Sequence, residues 1–355
     1  MSMTIIGVDP HKRSHTAVVL DGREEIASQI RVTASSSQVK ELLHWAPPVE
    51  RLRAVENANG LGRLLAQQLV ARGETVVDVP ATLASRARKL SGKSGRKTDE
   101  HDARSVAIAA AHHHGLRQVA VENVTAVIGL LLDRRWRLVS QRQRATCQLH
   151  ALLTELVPAG ADTHLTSSKA AAVLRKVTPG SIVELERKLV ARELLDDIRA
   201  LDRRIPAATK RLSQALAASI TGLTDIHGIG LIGAATILSI VDDPTRFPTK
   251  GHFAAFTGTA PIEASSGDVR RHRLSRRGNR QMNKVLHTAA KTQIRRDGPG
   301  RTYYQRKLAE GKGTMEALRC LKRQLSDVAY RQLLADHQRR QAVRGGQTGT
   351  RPKSA

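Results

Sequence analysis

Two sets of residues in this 355-residue chain have the types and spacing for phosphoryl chemistry. The first is acidic. Asp9 closes an apolar run in "IIGVDP", Glu56 closes another in "RAVENANG", and Asp99 and Asp102 stand three apart in "KTDEHDA". Residues three apart on a helix share a face, and an acid inside an apolar strand end is costly unless something compensates it. Taken singly, several of these acids have plainer readings. Glu56 runs into turn residues, while Asp99 and Asp102 suit a helix N-terminus, where Glu100 competes with them. Four carboxylates brought together from two strands and a helix would repel one another, and a pair of Mg²⁺ ions resolves that repulsion. Magnesium takes carboxylate oxygens, water and substrate phosphate, and needs no His or Cys.

The second set lies in "EASSGDVRRHRLSRRGNR", residues 263 to 280. Ser265, Ser266 and Gly267 precede Arg270, Arg271, Arg273, Arg276, Arg277 and Arg280. Arginine forks bind phosphate oxygens in pairs, and a serine hydroxyl placed among them is a candidate nucleophile. Such a hydroxyl is weak and needs a base, a metal or an oriented electrophile. Glu263 and Asp268 are near in sequence, which identifies neither as that base. The plainer reading is a Ser-Ser-Gly turn in a solvated basic loop. Beyond it, "SRRGNRQMNK" sets Asn279, Arg280 and Lys284 at a helix start, where phosphate or RNA contact is expected, and Lys97 offers a similar cation ahead of Asp99. "HGIGLIG" resembles the turn of a helix-hairpin-helix, in which Gly228 and Gly230 would let backbone N–H groups approach a phosphate. A plain helix–helix turn fits it as well.

Composition points to the same partner. The formal net charge is +26 with a pI near 11.2, an excess that phosphate neutralisation explains best. No long uncharged apolar run and no signal-peptide pattern is present, so a membrane partner is not expected. Cys147 and Cys320 match no metal or disulfide framework and read as small apolar residues in a reducing cytoplasm. Aromatic residues make up only 2% of the chain, which argues for duplex or backbone recognition over stacking of unpaired bases. His112, His113 and His114 are consecutive, cannot share a helix face and read as a solvated helix end.

The elements that must position these residues follow from periodicity. Residues 1–117 alternate strand and helix patterns in the order β-β-β-α-β-α-β-α, which predicts a mixed sheet with helices packed on it. "LSGKSGRK" reads as a mobile loop delivering the chain into a helix with Thr98 as N-cap. Residues 118–218 are helical in pattern and form a connector. Its stripe of Leu185, Leu189, Ile198, Leu201, Ile205, Leu212 and Leu216 suggests a coiled-coil arm, with Pro206 kinking or breaking it. An intrachain helical hairpin is the alternative, and self-association is slightly favoured. Residues 219–338 form a mainly helical domain, and 339–355 a basic tail expected to be disordered.

The stretches "GVDPHK", "AVENANGLG", "KTDEHDA", "IHGIGLIGAATILSIV", "FAAFTGTAPIEASSGD" and "LSRRGNRQMNKVL" together resemble the DEDD-type transposases of bacterial insertion sequences, the family numbered 110. The resemblance covers nearly the whole chain in the right order. It implies an RNase H-like (RuvC-like) N-terminal domain, a helical connector and a C-terminal transposase domain, in a bacterial protein of the cytoplasm and nucleoid. The family's four acids fall on Asp9, Glu56, Asp99 and Asp102, and its serine, immediately before a glycine, falls on Ser266. Ser265 is not selected. The resemblance further implies a covalent phosphoserine link to DNA assisted by metal, recombination of element and target DNA by oligomers, and guidance by a structured RNA encoded beside the gene. A site composed from both ends of the chain would follow.

Three rivals remain open on the residues alone. A structure-selective nuclease of the junction-resolvase type would use the acids and water and be indifferent to Ser266. An architectural nucleic-acid binder would explain the charge and leave the acids idle. A sugar-kinase-like fold shares the "GVD" strand opening but lacks further glycine-rich phosphate loops and does not explain the charge.

Overall fold

The structure, a computed structural model, describes residues 3–90, 98–113, 115–162, 164–263, 272–273 and 278–347. The chain divides into two compact units, Met1–Glu122 and Asn123–Ala355.

The first unit is built on a sheet of order β3-β2-β1-β4-β5-β6. Strands β1 (Thr4–Pro10), β2 (Ser14–Leu20) and β3 (Ile26–Thr33) are joined by short turns and pair antiparallel. The chain then crosses through α1 (Gln38–Trp45) to β4 (Arg51–Glu56), and through α2 (Arg63–Val70) to β5 (Thr75–Val79). Both crossovers contain a helix, which is what parallel pairing requires, and β1–β4 and β4–β5 are parallel. A short antiparallel strand, β6 (Arg117–Gln118), closes the edge. Three antiparallel strands flanked by parallel ones is the RNase H-like arrangement expected from the sequence. The fully buried Ile6, Val8 and Val55 show why the central strands read as apolar runs. Because Val8 pairs with Val55 in parallel register, the acids near the C-terminal ends of the two strands emerge side by side.

Helices α3 (Ala81–Leu90) and α4 (Asp99–His112) complete the unit. Thr98 caps α4, its Oγ1 accepting from His101 N, and Asp99, Glu100 and Asp102 fill the first turn. The buried side of α4 is Ala103, Val106 and Ala107, and it lies directly on β1. The approach is closer than any side chain on the strand would allow. A Cβ at Gly7 would come within 2.1 Å of the Ala103 carbonyl oxygen and 2.8 Å of the Ala107 Cβ.

The second unit begins with a helical hairpin. Helices α5 (Val124–Leu156) and α7 (Ile182–Ala218) pair along their length, Leu138 packing with Leu201 and Ala208, and Leu149 and Leu153 with Ala191 and Leu195. Helix α6 (Ser167–Lys176) covers one end through Ala170 and Leu174. The apolar stripe expected to favour self-association is therefore largely used within the chain. Ile198, Leu201, Leu212 and Leu216 are buried, and Leu185 and Leu189 stay exposed. Pro206 does not end α7. It removes one backbone N–H, but packing of Leu201 and Ala208 on either side of it against Leu138 holds the helix together.

Ile128, Leu132, Leu212 and Leu216 share one core with α8 (Leu231–Val241), α9 (Lys250–Phe256), α10 (Arg280–Ile294) and α12 (Thr314–Gln347). The hairpin and the C-terminal segment thus form one compact unit, rather than separating near residue 218. Between them lie α11 (Pro299–Ala309) and a two-stranded ribbon, β7 (Ile262–Glu263) with β8 (His272–Arg273). Helix α12 runs to Gln347, so the stretch expected to be a disordered tail from 339 begins as helix; residues 348–355 lie outside the described residues. Among the described residues, no helix is long and apolar enough to cross a membrane.

Gly7→Val should push α4 off the sheet. Overpacking of this kind costs about 1–3 kcal/mol, so the variant is expected to melt earlier than wild type in calorimetry. An unchanged melt would show that the α4–β1 contact does not hold the unit together.

Candidate active site

The first unit gathers the four predicted acids at the C-terminal ends of β1 and β4. Asp9 is buried at the end of β1, and Glu56 is half-buried at the end of its parallel neighbour β4. Asp99 and Asp102 are carried over those strand ends by the first turn of α4. The electrostatics record how close they come. Burial raises the Asp9 carboxyl above its usual range; His11 works against this, while Asp102 and Asp99 push further upward. Glu56 is likewise raised, first by burial and then by the charges of Asp9 and Asp102.

Basic side chains offset the remaining charge. Arg88 from α3 donates to Asp102 Oδ1. Arg31 from β3 lies 3.4 Å from Asp99. His11 Nε2 sits 3.0 Å from Asp9 Oδ2 and 3.5 Å from Asp99 Oδ1. Ligand atoms of Asp9, His11 and Asp99 lie within 4.8 Å of one another, a spacing that could hold a metal ion. Neither His11 nor Arg88 was anticipated as part of the site. His11 carried a signal, since residues two apart along an extended segment can face the same way. Arg88 carried none, because it meets Asp102 only through the packing of α3 on α4.

A cluster of hard oxygen donors, in which burial and neighbouring carboxylates raise Asp9 and Glu56, suits a divalent cation such as Mg²⁺. The carboxylates fit that ion. Arg88 and His11 sit where the cation's charge would otherwise be supplied.

The second set is distributed differently. Ser265, Ser266, Gly267, Arg270, Arg271, Arg276 and Arg277 lie outside the described residues, as does Lys97. Arg273 is in β8, where it pairs with Ile262. Asn279 caps α10, its Oδ1 accepting from Gln281 N and Met282 N at 3.0 Å, so that oxygen is committed to the helix. Arg280 is exposed at the first position of α10.

The glycine segment only partly matches a helix-hairpin-helix. A 3₁₀ turn at Leu223–Asp225 precedes it, and α8 follows. Gly228 has φ of +87°, and a Cβ there would meet the Ala289 carbonyl oxygen at 2.8 Å. Its lack of a side chain serves turn geometry and packing on α10. Gly230 opens α8 with no side-chain cap and free space around it. It borders a groove of about 640 Å³ that also takes in Trp136, Gln281, Lys284 and Thr288, with Lys284 Nζ 5.7 Å from the Trp136 ring centre.

Two family models match this chain. One, described as "Transposase IS116/IS110/IS902 family", covers residues 221–305; the other, a DEDD-type IS110 "Transposase", covers 6–158. A protein of Streptomyces coelicolor, "Insertion element IS110 uncharacterized 43.6 kDa protein", is 31% identical over 67% of this chain and 70% of its own length. The "Insertion element IS116 uncharacterized 44.8 kDa protein" of Streptomyces clavuligerus is 27% identical over 92% and 94%. "Probable family 20 transposase" of Pseudomonas aeruginosa is 26% identical over 83% and 85%.

Asp9 is the sensitive point of the acidic set. A carboxyl whose folded pKa lies above its unfolded value binds protons on folding, so its contribution to stability falls as pH rises through that window. In chelator-treated protein, Asp9→Asn is therefore expected to raise the melting temperature at pH 7 by a few degrees, with a smaller gain at pH 5. An equal gain at both pH values would show that the folded state does not raise the Asp9 carboxyl.

Proposed function

Because the chain belongs to the IS116/IS110/IS902 family of transposases, we propose that it cleaves and exchanges DNA strands through a covalent link to Ser266, with Mg²⁺ at the carboxylate cluster. The observation that carries this reading is the convergence of Asp9, Glu56 and Asp102, close enough that Asp102 raises the proton affinity of both Asp9 and Glu56. Asp9, Glu56, Asp99 and Asp102 would hold two Mg²⁺ ions, which when bound supply positive charge toward a reacting phosphate. His11, Arg31 and Arg88 keep the carboxylates oriented before that happens.

In the proposed exchange, the Ser266 hydroxyl gives up its proton and its oxygen bonds to phosphorus, while one strand oxygen leaves as a hydroxyl. Attack by the hydroxyl of another strand reverses the step and joins the two strands, so the phosphodiester count is conserved. Arg270, Arg271, Arg273, Arg276, Arg277 and Arg280 hold strand phosphates, and Lys97 adds to them. Gly230 and Lys284 line a groove open to a further stretch of backbone, with Gly228 shaping the turn.

The net charge of +26 and the 2% aromatic content support binding through backbones, with sequence choice delegated to an element-encoded structured RNA that pairs with element ends and target. The exposed Leu185 and Leu189 leave room for association of copies into an oligomer. The setting is the bacterial cytoplasm and its nucleoid.

The test is to incubate the protein with Mg²⁺, element-end DNA and co-purified RNA, and to look for a denaturation-resistant protein–DNA adduct. Wild type is expected to form it, and Ser266→Ala to lose it while still binding DNA. Asp102→Asn should lower cleavage more than about a hundredfold, since even outer-shell partners of a metal cost ten- to a hundredfold. Cleavage without an adduct would place the protein with water-using nucleases of the junction-resolvase type.

A further inference from the structure

Lys322 is a charge in an unusual place. It sits on α12 and is only 5% exposed. Its Nζ donates to Asn283 Oδ1 at 2.7 Å, and Asn283 in turn donates to the carbonyls of Thr257 and Gly258 at 3.1 and 2.9 Å. Among the described residues, no carboxylate lies within ion-pair distance of Lys322. The neighbouring charge is of the same sign: Arg319, one turn earlier, also lacks an acidic partner among the described residues. Burial, and then Arg319, push the Lys322 ammonium below the usual lysine range. An ammonium buried with only a neutral acceptor is unfavourable unless an anion completes it.

Lys322 also faces a cavity of about 260 Å³. Its walls include Gly258, Ala260 and Pro261, Tyr303, both Lys322 and Arg319, and one carboxylate, Glu316. Arg323 and Lys312 reach it too, but each is already paired, with Asp327 and Glu316 respectively. Two cations with no ion-pair partner among the described residues and a backbone turn thus converge on one small space, in which the Glu316 carboxylate is engaged by Lys312. Pro261 is followed directly in sequence by β7 and the stretch that carries Ser266.

We propose that this cavity binds a phosphodiester phosphate of a nucleic-acid strand, its oxygens accepting from Lys322 and Arg319. The proposal rests on the nucleic-acid reading given under Proposed function. It adds a phosphate site in the second unit, independent of the carboxylate cluster and of the serine. Tyr303 offers a wall for the sugar or base next to that phosphate.

The probe is the dinucleoside monophosphate TpT, titrated calorimetrically into the full-length chain, with UpU in a parallel arm and thymidine as the phosphate-free control. Wild type is expected to bind TpT and UpU alike and thymidine not at all. Removal of a charged hydrogen-bond partner lowers affinity by about tenfold or more, so Lys322→Met and Arg319→Gln should each do so. Lys322→Met should also melt no lower than wild type, because it removes a buried uncompensated charge. TpT should protect Lys322 from acylation in the wild-type chain, which needs no variant to fold. Unchanged TpT affinity in both variants, absence of protection, or thymidine binding as well as TpT would overturn the proposal. So would a lower melt of Lys322→Met with unchanged affinity, which would make the lysine a buttress for Asn283. No strand is cut in these measurements, so failure here is distinct from failure to form a Ser266 adduct.

Discussion

The contact on which the first unit depends is the meeting of α4 and β1 at Gly7. Four acids of like charge do not gather by themselves. They are held because the backbone of α4 rests on a strand position with no side chain, against Ala103 and Ala107. That fit sets the height of the helix over the sheet, and so the distance of Asp99 and Asp102 from Asp9. Packing that has no charge of its own fixes the electrostatics of the site. The raised proton affinities of Asp9 and Glu56 are the price of assembling the cluster, and a cation would relieve them.

The second unit treats buried charge in two contrasting ways. Asp336 is fully buried, yet it accepts from Thr221 Oγ1 and Gln332 Nε2 at 2.8 Å, from the Gly222 N–H, and from Arg339. Its partners complete it, and it ties α12 to the turn that leads toward the glycine segment. Lys322, about four helical turns earlier by the 3.6-residue repeat, has a single neutral partner. Within one helix, a satisfied buried charge fastens the fold and an unsatisfied one faces a cavity. The difference lies in the neighbours each meets in space.

Much of this was legible in the sequence because it is local. Apolar runs ending in Asp9 and Glu56 marked neighbouring strands, and the Thr98 cap with its acids marked the start of α4. The helical period in 185–216 was visible too, but not its partner: the stripe could pair with a second copy or with α5, and only packing decides. Pro206 looked like a break because a helix read alone cannot show the flanking contacts that sustain it. Arg88 and Lys322 were illegible for a related reason. A basic residue on an amphipathic helix reads as solvated face, and the carboxylate or cavity it meets comes from distant sequence. Asn279 read as a ligand contact because caps and phosphate binders draw on the same residue types at the same helix position.

Asp9, Glu56, Asp99 and Asp102 are proposed to act together as one divalent-cation site. The most direct measurement is Mn²⁺ binding to the full-length chain, counted by electron paramagnetic resonance as free ion disappears. Saturable binding is expected in the wild-type chain, and its loss when the four acids are replaced by their amides. Undiminished Mn²⁺ binding in that amide variant would contradict that assignment.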